Sequence, residues 1–151
     1  MRNNSSKNLF STSSIQGWSM APLIKPGHRL LINFKPKNYK LGDIVIFLKK
    51  DKVVAHRIIK TKKNKNLLFL LKGDNTSSLD GWFTSGEILG RVEKIIYPNY
   101  KIDLTKKKSK IFNHLLVAYS QLNYRFPFFL NLRFSYKISF LKILYRKMVT
   151  S

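Results

Sequence analysis

The chain has 151 residues and carries 29 Lys and Arg against 7 Asp and Glu, a formal net charge of +22. That length accommodates one compact domain and a short appendage, and a hydrophobic content of 44% argues against wholesale disorder. The absence of cysteine excludes a disulfide framework, thiolate chemistry and Cys-ligated zinc, although it does not decide the compartment.

Residues 1–14 are polar and rich in Ser and Asn, which reads as a flexible tail. No charged start followed by an apolar run is present, so neither a signal peptide nor an N-terminal membrane anchor is expected. Residues 15–105 read as the folded domain, and from Ile15 to about Pro98 short apolar runs alternate with turn residues. Strands are expected at 29–34, 43–48, 52–61, 66–71 and 88–97, bounded by Pro26-Gly27, Gly42-Asp43, Lys50-Asp51, Gly73-Asp74-Asn75 and Gly86. With no strong helix between them, these strands imply a mainly β fold, a coiled and mostly antiparallel β domain. The stretch 106–151 reads as a short basic α-helical tail. The basic run Lys106–Lys110 leads into 111–124, and a second stretch, 131–148, mixes apolar residues with spaced Arg and Lys. Neither stretch reaches the roughly 18 apolar residues a membrane span needs. A pair of amphipathic helices that packs on the domain or lies in a membrane interface fits both.

The charge excess points to a polyanion, an anionic membrane or a Lys-rich surface. Residues 1–100 carry 18 basic and 6 acidic residues, and residues 101–151 carry 11 and 1, so the cations form no single block. Most are Lys rather than the Arg that geometric base readout favours, and no nucleic-acid partner is expected. Peripheral contact with an anionic membrane stays open.

Three segments carry candidate chemistry. In Gly17-Trp18-Ser19-Met20-Ala21-Pro22 a serine sits in a short turn ahead of a strand, with Pro22 fixing the turn. Alone it is an ordinary loop serine. In Val53–Ile59, strand alternation puts His56 on one face with Val54 and Ile58, and Arg57 on the other. Desolvation between apolar neighbours favours the neutral imidazole, the form that accepts a proton. The same pattern also suits a satisfied core histidine. The third segment is Lys72-Gly73-Asp74-Asn75 with Asp80 six residues beyond Asp74. Asp74 could be architectural, and Asp80, in a Leu-Asp-Gly-Trp setting, is an odd acid unless paired. Of His28, His56 and His114, only His56 lies within an expected strand.

Together these segments resemble type I signal peptidases and the related self-cleaving LexA-like repressors. Ser19–Pro22 matches the Ser-Met-x-Pro motif of that superfamily, and Gly42–Phe47, His56-Arg57, Lys72–Asp80 and Ile88–Val92 follow in the family order. The resemblance covers Gly17 to about Ile96. It implies Ser19 as nucleophile, His56 as its base and Asp80 as the third member, supported by Asp74, Met20, Pro22 and Arg57. His rather than Lys at the base position resembles the endoplasmic-reticulum, archaeal and sporulation-type branch. The chain departs from the pattern at Gly17, where some members supply a hydroxyl, at His28, where Asp is frequent, and in the expected lack of an anchor.

The expectation is therefore a serine endopeptidase that cleaves a leader or signal peptide from a precursor, cytoplasmic or peripheral at the membrane. No cofactor is implied, because a phosphate-binding Gly loop and a metal-ligand cluster are both missing. One alternative is a non-catalytic basic module that binds nucleic acid or anionic membrane on the same fold. Another is a LexA-like regulator, which would need a helix-turn-helix ahead of the catalytic part.

Overall fold

A computed structural model describes residues 10–14, 17–34, 36 and 38–125 of the chain. Eight strands form one antiparallel sheet: β1 (Phe10–Ser14), β2 (Arg29–Asn33), β3 (Ile44–Lys49), β4 (Lys52–Lys63), β5 (Leu67–Lys72), β6 (Gly81–Thr84), β7 (Ile88–Ile96) and β8 (Lys101–Asp103). Their order is β1-β2-β7-β3-β4-β5-β6, with β8 paired to β7 off this path. Among the described residues one helix, α1 (Lys107–Arg125), follows. The fold is mainly β, as the turn-bounded apolar runs imply.

The β3–β4 hairpin sets the geometry that matters most. Its two-residue loop, Lys50-Asp51, has positive φ at both positions (49° and 61°), the conformation whose twist matches paired strands. That tight turn fixes the register, with Val45 opposite His56 and Ile44 opposite Arg57. A slip of one residue would carry His56 to the opposite face of the sheet.

β3 is buried on both faces, which is why it reads as an unbroken apolar run rather than an alternation. Ile44 and Ile46 join Met20, Ile24, Leu30, Ala55, Ile95 and Phe112 in one core. Val45 and Phe47 join Ile58, Phe69, Leu71 and Ile88 in a second. Along β4, His56 shares the second face with Ile58, and Arg57 faces the first, beneath α1.

Three features differ from the sequence expectation. Residues 10–14, expected in a flexible tail, form β1, paired in register with β2 from Phe10–Asn33 to Ser14–Arg29. A Ser-rich edge strand held by backbone pairing shows no apolar pattern of its own. β6 and β8 are four and three residues long, too short for periodicity to register. The helix begins inside the basic run, at Lys107, rather than after it. The expected second helical stretch, 131–148, lies outside the described residues. No described helix is long and apolar enough to cross a membrane.

Candidate active site

Ser19 lies in a compact turn between β1 and β2. The Ala21 N–H donates to Trp18 O (3.0 Å), the Ile24 N–H donates to Met20 O (2.9 Å), and the Ala21–Pro22 peptide is cis. Met20, Leu23 and Ile24 are buried and pin this turn to the core, while Ser19 itself is half-buried and Trp18 is exposed. Apolar neighbours thus anchor the turn and leave the serine at its surface.

The turn after β5 clamps the Ser19 turn from the other side. The Asn75 N–H donates to Ser19 O (2.7 Å), Asn75 Nδ2 donates to Trp18 O (3.2 Å), and the Asp74 N–H points at Met20 Sδ (3.4 Å). Gly73 is packed so tightly that a Cβ on it would lie 2.8 Å from Ser19 O and 3.0 Å from His56 Nε2. The Ser19 backbone and the His56 ring therefore converge on one small space, open only because residue 73 has no side chain.

His56 is 4% exposed, with its ring tilted against Phe47 at 5.8 Å between centroids. Its Nδ1–H donates to Asp80 Oδ2 at 2.5 Å. A carboxylate can only accept, so this contact fixes a proton on Nδ1, and in the neutral ring Nε2 is then the acceptor. Nε2 is buried and, among the described residues, has no hydrogen-bond partner, so the Ser19 hydroxyl does not reach it in this state. Such bonds are commonly long or absent without substrate.

Asp80 sits just before β6, its N–H donating to Leu71 O (2.9 Å). Lys49, at the end of β3, pairs with its other oxygen, Oδ1. Burial pushes the Asp80 carboxyl up, but hydrogen bonds and charge from His56 and Lys49 outweigh it and hold the pKa below the usual carboxylate value. Asp80 is thus an anion shared between an imidazole and an ammonium.

Arg57 works on the opposite face of β4. Its Nε and Nη2 make a bidentate pair with Asp74 (2.8 and 2.7 Å), and Nη1 donates to Gly42 O and Asn113 Oδ1, both at 2.9 Å. Asp74 is therefore an anchor: it fastens the Gly73–Asn75 turn to the strand that carries His56. Next to Arg57 across the β4–β5 ladder stands Lys72, fully buried, donating to Gly73 O and to Ser120 Oγ of α1, both at 3.1 Å. Desolvation lowers the Lys72 pKa against the opposing pull of Asp74 and Asp80.

The structure thus brings Ser19 and His56 together at Gly73, with Asp80 on the His56 ring; Asp74 and Arg57 fasten this turn from the other face of β4, and Met20 and Pro22 lie in the Ser19 turn. The other two described histidines serve elsewhere. His28 accepts from the Lys25 N–H (3.2 Å) and packs on Tyr97, while His114 Nδ1 contacts Lys110 O (2.7 Å) on the exposed side of α1. Sequence reasoning passed over Lys49, Asn113 and Ser120. Lys49 is one of many lysines, and only the hairpin register brings it to Asp80. Asn113 and Ser120 carry a weak signal, as polar residues on the buried side of an otherwise apolar helix face.

The family model described as Peptidase S24-like matches residues 5–92, more than half of the chain, and this span includes Ser19, His56, Asp74 and Asp80. The chain belongs to the Peptidase S24-like family. This places it in the superfamily of LexA-like and signal peptidases and supports a serine peptidase type of function. No curated protein matches the chain. In this Peptidase S24-like chain β8 and α1 lie beyond the matched residues, yet α1 supplies two of the side chains that hold Arg57 and Lys72.

Proposed function

We propose that the chain is a serine endopeptidase of the His-base type, removing a leader or signal peptide from a precursor protein. The observation that carries this reading is the buried Nε2 of His56, unpartnered among the described residues and facing the same space as Ser19 while Nδ1 is held by Asp80. A core histidine with no further role would use both nitrogens or bury neither.

In the proposed mechanism His56 Nε2 takes the Ser19 hydroxyl proton as Oγ attacks the peptide carbonyl, and returns it to the leaving amine. Water then hydrolyses the acyl-enzyme, with the same nitrogen as base. Asp80 holds the productive tautomer and stabilises the imidazolium that forms. The Ser19 backbone N–H is the candidate oxyanion donor, worth about 3 kcal/mol of transition-state stabilisation. An extended substrate has a place to bind. β4 pairs with β3 through Lys52–Arg57 but meets β5 only from Arg57 onward. Among the described residues, its edge over Lys52–Ala55 has no partner strand. A peptide added there would run beside the Ser19 turn.

The experiment is mass spectrometry of precursor peptides incubated with wild type, Ser19→Ala and His56→Ala proteins. Cleavage by wild type that both substitutions abolish supports the proposal, and cleavage that survives Ser19→Ala overturns it. Intact-mass measurement of the chain over time separates cleavage of a precursor from self-cleavage, which LexA-like members perform.

A further inference from the structure

α1 has two apolar faces, and among the described residues only one of them is packed. Phe112 and Val117 are buried against the sheet together with Ser109, Asn113 and Ser120. Ile111, Leu115, Ala118 and Leu122 recur at i, i+4, i+7 and i+11, a continuous stripe along the opposite side. Ile111, Leu115 and Leu122 are 54%, 59% and 60% exposed. A helix that only had to cover the sheet would carry charge there. At the C-terminal end the stripe continues across a cleft to Leu79 and Trp82, the latter 42% exposed.

The surroundings of the stripe have one sign. α1 contains no acid, and Lys107, Lys108, Lys110 and Arg125 are all exposed beside it. The chain has no Asp or Glu after Asp103, while ten Lys and Arg fall between residues 104 and 151. Exposed Leu and Ile bordered by cations, with an exposed Trp at the margin, match the chemistry of a bilayer interface, apolar below and anionic at the headgroups. A nucleic-acid backbone would satisfy the cations and leave the stripe in water.

We propose that the outward face of α1 docks on an anionic lipid bilayer, with Ile111, Leu115, Leu122 and Trp82 at the headgroup–acyl boundary and the flanking lysines on lipid phosphates. The surface adjoins Asp80 through Leu79 and Trp82, so docking would hold the candidate site close to the membrane. The inference does not depend on the peptidase reading, since binding is measured without turnover.

The test is co-sedimentation of the full chain with vesicles of phosphatidylcholine mixed with phosphatidylglycerol, and with vesicles of phosphatidylcholine alone. Wild type is expected to sediment with the mixed vesicles and to be released by salt. Ile111→Gln/Leu115→Gln/Leu122→Gln alters exposed positions only, and should raise the apparent Kd by at least about tenfold with unchanged circular dichroism and Tm. Lys107→Gln/Lys108→Gln/Lys110→Gln should also weaken it. Unchanged vesicle binding by the apolar triple variant overturns the proposal. So does a fall in Tm or loss of a dimer with vesicle binding intact, either of which would assign the stripe to the chain itself or to a second copy. Should the triple variant not fold, Trp82 fluorescence in a Trp18→Phe chain decides. A blue shift on adding mixed vesicles supports docking, and no shift overturns it.

Discussion

Gly73 is the residue on which the site geometry turns. Any side chain there must push the Ser19 backbone, the His56 ring or both, because the space between them is already at contact distance. Gly73→Ala is therefore expected to leave the sheet intact by circular dichroism while lowering kcat on the order of 100-fold, the usual cost of displacing a reacting group by about 1 Å. Steady-state kinetics on a cleaved precursor checks this. Asp80 offers a test without substrate. Its pKa is depressed in the folded protein, so its contribution to stability is present above the unfolded carboxylate value, about 3.9, and is lost as pH falls through the folded value. Lys49→Met removes one of the two interactions that hold the value down. Acid unfolding, followed by circular dichroism, should then begin at a higher pH than in wild type. At neutral pH the same substitution should cost no more than about 1 kcal/mol, because Lys49 is half exposed.

At the scale of elements, the strand that carries His56 also carries the means of holding everything else. His56 looks toward Ser19, and Arg57, one residue on, ties the Asp74 turn and α1 to the other face. Lys72 extends that arrangement by a second buried cation under α1. Desolvation lowers its pKa in the folded state, so between that value and the unfolded value near 10.4 the unfolded chain binds more protons. Stability should rise with pH through this window. Urea unfolding at a series of pH values up to 10.5 should show wild type gaining on Lys72→Met as pH increases, and a constant difference would contradict it. These elements were unequally legible in the sequence. β2, β3, β4, β5 and β7 announced themselves by β-branched and apolar runs between turn residues, and the ordered motifs gave Ser19, His56, Asp74 and Asp80 together. β1 was hidden because its pairing is a matter of backbone groups rather than an apolar pattern. The partners Lys49, Asn113 and Ser120 were hidden because they depend on register and on a helix packing 56 residues away from Arg57.

For the molecule as a whole, the two faces of the sheet divide the labour. One side of β4 presents the buried Nε2 of His56 to the Ser19 turn, and the other is covered by α1, whose outer stripe is exposed. On the proposed reading, the large positive charge serves docking, while the chemistry rests on a few carboxylates placed against it. The central claim is that Ser19 and His56 form one catalytic unit. Its most direct measurement is cleavage of precursor peptides by wild type, Ser19→Ala and His56→Ala chains, read by mass spectrometry. Specific cleavage by wild type and loss of at least about 1,000-fold in rate for either variant are expected. Folded variants that cleave at the wild-type rate would contradict it.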